Sequence, residues 1–206
     1  MAQAAWRRAA TGGFGPLAAA LAAALPAFLS GCAPVPHSAS SAVGASPAVL
    51  VERLPAVAAG FRRGAARPIG GAEEGREVSY ATPGGRLTAA ATVELLAENT
   101  AAAAALDAAL ADALRAGPAR EMRDAGRLAV AAGGVSPLLC AETVGRYGRE
   151  RVAGLVCAGR VGGALLRIRV TMPAREPPPA DPRAFAEAIA VALSGPGAVA
   201  ASAPSG

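Results

Sequence analysis

The sequence predicts an α+β domain over residues 48–194, an antiparallel sheet of about five to seven strands with two main helices packed on one face. Three observations lead there. Apolar and polar residues alternate over short runs that end in glycine-rich turns, the mark of hairpins. Two segments carry large apolar residues four apart between helix start and stop signals. Aromatics are only 3% and alanine inflates a hydrophobic share of 53%, so the core has to be assembled from Leu, Val, Ile and Ala.

The elements follow in order. Strands are expected at Glu77 to Ala81 and Leu87 to Leu96, joined by the turn Pro83-Gly84-Gly85. The first helix starts from an Asn99-Thr100 cap and runs through the alanines to Ala116, where Gly117-Pro118 ends it; Leu106, Leu110 and Leu114 form its stripe. Three more strands lie between Leu138 and Met172, and a proline-rich spacer follows them from Pro173 to Pro179. The closing helix has Asp181 as cap, Pro182 at its first position, Phe185, Ile189 and Leu193 on one face, and Gly195-Pro196 as its stop. No repeat of fixed period is present.

Turn chemistry sets the register of the central hairpins. Gly148-Arg149 suits a two-residue type II′ turn, which places Tyr147 opposite Glu150 and Cys140 opposite Cys157. That pair falls at a non-hydrogen-bonded position, where Cα atoms lie about 4.5 Å apart and a disulfide can close. The Cys140–Cys157 disulfide is therefore expected. Gly162-Gly163 makes the next turn and sets Leu166, Ile168, Val170 and Met172 beside the disulfide, with Arg167, Arg169 and Thr171 on a wetter face. Glu142 then shares the face of Cys140 and Leu155, where an unpaired carboxylate is costly. An arginine partner, a bulge that shifts the register, or a functional buried acid would each explain it.

The chemistry of most enzymes is hard to assemble from this chain. His37 is the only histidine and lies before the domain, so neither a Cys-His dyad nor a histidine metal site can form within it. There is no G-x-S-x-G elbow, phosphate-cradling glycine loop or Cys-x-x-Cys pair. Gly159-Arg-Val-Gly-Gly joins strand to strand and reads as a turn, and Glu73-Glu74 reads as a solvated loop. No catalytic residue, metal ligand or cofactor is assigned. The formal charge of +5 comes from 20 Arg without a single Lys, dispersed among acids, which argues against a nucleic-acid stripe. At the tip of the disulfide hairpin, however, Arg146, Arg149 and Arg151 converge, with Arg146 opposite Arg151. Like charges so placed repel and invite an anion, to which guanidinium forks are well suited.

Residues 1–31 have the zones of an export signal: Arg7 and Arg8, an apolar run from Leu17 to Leu29, and then Leu29-Ser30-Gly31-Cys32. The apolar run falls short of the roughly 20 residues a spanning helix needs. Leu-Ser-Gly-Cys resembles the lipobox of bacterial lipoproteins. The resemblance implies a diacylglycerol thioether on Cys32, cleavage before it and acylation, palmitate included, of the new amino group. With Ala33 rather than Asp next, it implies an outer-membrane anchor facing the periplasm. Residues 32–47, rich in Pro, Ser and Ala, are then expected to be a flexible tether, and residues 195–206 a disordered tail. In layout the domain also resembles small α+β modules of the PsbP/Mog1 type, a likeness that carries no residues across.

These features point to a lipid-anchored envelope protein that binds or assembles without catalysis. Its expected contacts are the membrane through the lipid, and an envelope protein or anionic lipid. The alternative is a periplasmic small-ligand carrier or enzyme using Glu142 with nearby Arg or Tyr, for which a deep polar pocket at Glu142 would be required.

Overall fold

A computed structural model describes residues 44–70, 74–84, 88–115, 117, 120–133 and 135–195. The elements are α1 (Pro47–Val51), β1 (Val57–Ala58), β2 (Phe61–Pro68), β3 (Gly75–Ala81), β4 (Ala90–Leu96), α2 (Ala102–Leu114), β5 (Arg120–Ala132), β6 (Val135–Tyr147), β7 (Glu150–Val161), β8 (Ala164–Pro173) and α3 (Pro182–Ser194). The strands form one curled antiparallel sheet in the order β1-β2-β3-β4-β8-β7-β6-β5. Among the described residues, eight strands and three small helices thus replace the expected five to seven strands and two main helices. The strands that sequence reading missed are wet ones. In β2 the residues after Phe61 are exposed or half-buried, and β5 is mostly exposed until Val130, so neither shows the alternation a buried face would impose.

The two longer helices do not share a face. Phe185, Ile189 and Leu193 of α3 and Leu50 and Val51 of α1 pack with Leu138, Cys140, Leu155, Cys157, Leu166 and Ile168. On the other face Leu106, Leu110 and Ala113 of α2 meet Ala141, Val156, Ala158 and Leu165. The reason lies in β7, where Leu155 and Cys157 alternate with Val156 and Ala158 and all four are buried. A strand apolar on both sides has to be covered on both. Because α2 covers chiefly β6 and β7, the second face stays half-buried and polar at Arg167, Arg169 and Thr171, in keeping with the wet face expected there.

The hairpin register is as read from the turns. Tyr147 pairs with Glu150, Cys140 with Cys157 and Cys157 with Ile168. Gly148 has φ 56° while Arg149 is not left-handed, the pattern of a type II′ turn. The Cys140–Cys157 disulfide is present, with Cα atoms 4.1 Å apart.

The two longer helices start differently, α3 from the expected side-chain cap and α2 without one. Asp181 Oδ1 accepts from the backbone N–H groups of Arg183 (2.9 Å) and Ala184 (3.1 Å), a full N-cap, and Pro182 takes the first position. For α2 the cap residue is Ala101, without a side-chain cap, while Thr100 Oγ1 donates instead to Glu98. An aromatic triad seats α3: the Phe185 ring lies 4.6 Å from Phe61 and 5.2 Å from Tyr80.

Gly44 to Pro47, assigned to the tether in the sequence reading, belong to the folded unit: Ala45 N–H donates to Gly162 O at 2.8 Å, Gly44 lies against Gly163, and Pro47 opens α1. The β7–β8 turn is thus where the chain enters the domain. At the sheet edge, β5 is long enough to invite strand addition, yet register breaks at Asp124/Gly126 and Val130/Ala132, with Arg123, Asp124 and Arg127, discourage it. Arg127 bonds Asp107 at 3.0 Å and Arg120 bonds Ala113 O, tying this edge to α2. The Asp107 hydrogen bond, ahead of the charges of Asp107 and Asp124, raises the Arg127 pKa above its ordinary value.

Candidate functional site

The β6–β7 hairpin carries its arginines to the end of the sheet away from the chain entry. Strand pairing continues the row Glu121, Arg146, Arg151 across β5, β6 and β7, and the next row toward the core is Arg123, Val144, Ala153 and Met172. In an antiparallel sheet residues in one row share a face, and so do rows two residues apart. Arg123, Arg146 and Arg151 therefore stand on the face of the disulfide, beyond the cover of α3. They line one shallow hollow of about 240 Å³ with Val144, Val152 and Ala174. Arg151 also walls a neighbouring hollow of about 380 Å³, formed with Met172, Arg175, Glu176 and Pro178. Arg149 occupies the turn itself.

The electrostatics set this end apart. Elsewhere most described arginines are engaged, Arg62 and Arg169 being the exceptions: Arg67 is held by Glu77, Arg115 by Asp112, Arg167 by Glu94, Arg183 by Glu142, and Arg160 by the carbonyls of Glu98 and Gly163. Arg123, Arg146, Arg149 and Arg151 make no ion pair or side-chain hydrogen bond with another described residue, and all are exposed. The acids nearby are Glu121, in the Arg146 row but unbonded to it, Glu150, which Arg175 takes at 3.5 Å, and Glu176, which shares the second hollow with Arg151. Arg120 stacks 5.4 Å from the Tyr147 ring on the opposite face.

Arg123 was not in the sequence reading. The strand that brings it to the tip went unrecognised, and only the pairing of β5 with β6 sets it beside Arg146. The one available signal was the charged run Arg120-Glu121-Met122-Arg123, which reads equally as a solvated loop.

Glu142 resolves in favour of an arginine partner. Its Oε1 accepts from Arg183 at 2.6 Å, and the carboxylate side chain is 40% exposed past the first turn of α3. The β6–β7 register runs unbroken through Glu142 and Leu155; the bulge lies on β5, at Asp124/Gly126. The same hydrogen bond, and then the charge of Glu142, raise the Arg183 pKa above its ordinary value. Glu142 lines none of the hollows described above, so the deep polar pocket that its use in catalysis would need is not formed by the hollows at the tip.

Cys32, His37, the leader and Glu73 lie outside the described residues. Among the described residues no helix is long and apolar enough to cross a membrane, and no group of three or more His, Cys, Asp or Glu could hold a metal ion. Comparison with protein-family models, with curated proteins and with solved structures returns no match to this chain.

Proposed function

We propose that the protein is a lipid-anchored envelope module that recognises an acidic partner protein through the arginines at its hairpin end, without catalysis. One observation carries this reading: Arg123, Arg146, Arg149 and Arg151 are clustered and left unneutralised, whereas the other described arginines, Arg62 and Arg169 apart, are engaged within the fold. Planar guanidinium groups held on a disulfide-stapled sheet suit carboxylates of a partner surface, and being exposed they also steer its approach.

The place where the chain enters supports a protein over the anchoring lipid. The sequence leads from Cys32 to the domain through residues 33–43, which can extend at most about 40 Å. Entry is at the β7–β8 turn, and the arginines lie at the far end of β7, whose 12 residues rise roughly 40 Å. The cationic end is thus the end of the domain farthest from where the lipid-bearing segment joins it.

Crosslinking in native membranes, followed by affinity capture, tests this with three forms: intact, Cys32→Ala, and a variant with Arg146, Arg149 and Arg151 all changed to Gln. One dominant acidic protein is expected with the intact form, weakened in the first variant and lost in the second. Capture unchanged by the triple substitution overturns the arginine reading. Loss of capture together with loss of binding to anionic vesicles assigns the site to lipid headgroups instead.

A further inference from the structure

The half of the second sheet face that α2 leaves bare holds a cleft of about 200 Å³ between α2 and strands β3, β4 and β8. Its charges are ordered by cross-strand rows. Glu77 stands beside Glu94 and Glu94 beside Arg167, so two carboxylates are adjacent. Each is taken by its own arginine: Arg67 hydrogen-bonds Glu77 from β2 (Nε to Oε1, 2.6 Å), and Arg167 hydrogen-bonds Glu94 from β8 (Nε to Oε2, 2.7 Å). Asp112, on the α2 wall, is held by Arg115. In the next row Thr92 faces Arg169. Arg169 is half-buried and makes no ion pair or hydrogen bond with another described residue. It is therefore the cation of the cleft lining that no described carboxylate pairs, with the Thr92 hydroxyl on one side of it in the row, Val156 on the other, and Ala109 contributed by α2.

We propose that this cleft is a second site, separate from the hairpin end, which binds a small carboxylate with a short aliphatic body. The carboxylate would be held by the Arg169 guanidinium and the Thr92 hydroxyl, and the body would lie against Ala109 and Val156. Half-burial strengthens a charge-assisted hydrogen bond relative to one made in open water. The neighbouring carboxylates do not defeat it, because Arg67, Arg167 and Arg115 hold them.

The test is an NMR titration of purified protein with butyrate, and separately with inorganic phosphate, following arginine Nε–H and methyl signals. Butyrate is expected to move the Arg169 Nε–H and the Ala109 and Val156 methyl signals along one saturating curve, with Kd in the millimolar range or tighter. Arg169→Gln should abolish that curve while leaving the melting temperature unchanged, and Arg149→Gln should leave the curve intact. Ala109→Phe, which fills the cleft from α2 and spares Arg169, should abolish it as well. Shifts that never saturate, or that persist in Arg169→Gln, overturn the proposal. Equal response to phosphate without methyl shifts overturns the carboxylate assignment.

Discussion

Arg146 and Arg151 stand directly opposite each other on β6 and β7, and no described carboxylate bonds either. Like charges in a facing cross-strand pair destabilise by roughly 0.2–1 kcal/mol. Folding alone therefore gains nothing from both being present. Arg151→Gln is expected to raise stability by about 0.5 kcal/mol in urea denaturation while lowering partner capture. Lower stability in Arg151→Gln would mean that the pair is structural.

Removing the staple should loosen the β6–β7 hairpin six residues away from the Arg146–Arg151 pair. The disulfide joins residues 17 apart across β6 and β7, both fully buried. Chain-entropy reasoning gives roughly 3 kcal/mol for a loop near that size. Reduction, or the Cys140→Ala/Cys157→Ala double variant, is expected to lower stability by about 2–4 kcal/mol without abolishing the sheet. Chemical denaturation with and without reductant measures this.

Gly145 fixes how β5 meets the hairpin. A Cβ there would collide with Glu121 O and lie 2.8 Å from Met122 Cα, both backbone atoms that cannot yield without moving the strand. Gly145→Ala is expected to open the Arg120 to Arg123 end of β5, seen as faster amide hydrogen exchange at Met122 and Val144. It should also weaken partner capture, because Arg123 loses its place beside Arg146. Exchange rates unchanged in β5 would contradict this.

Tyr80 predicts the alkaline limit of the fold. Its side chain is buried against Phe185, its OH donates to Pro55 O at 2.9 Å, and burial pushes its pKa up to about 12, only partly countered by the charge of Arg63. The unfolded phenol ionises near 10.0, so above that pH the unfolded chain gives up its proton first. The stability Tyr80 contributes is complete below the unfolded value and is lost as pH rises toward about 12. Tyr80→Phe should flatten this alkaline decline in urea midpoints, at a cost of about 1 kcal/mol near neutrality for the lost hydrogen bond. An equally steep decline in the variant would assign the effect to another group.

What the sequence determined is local. Gly148 set a turn, the turn set a register, and the register put Cys140 on Cys157. Asp181-Pro182 wrote the start of α3 in side-chain chemistry that acts over three residues. Tertiary structure decided the rest. That α2 and α3 lie on opposite faces depended on Val156 and Ala158 as much as on Leu155 and Cys157, a two-sided strand that alternation rules read as one-sided. That β5 is a strand at all depended on its pairing with β6, since an exposed edge with Arg123, Asp124 and Arg127 carries no buried face to reveal it. The candidate site divided the same way. Arg146, Arg149 and Arg151 sit on one hairpin and were legible from its turn, whereas Arg123 joins them, and Arg183 reaches Glu142, only because distant segments meet. Hydrogen bonds between sequence neighbours are encoded by spacing; contacts between strands and helices far apart are encoded only in how the whole core packs.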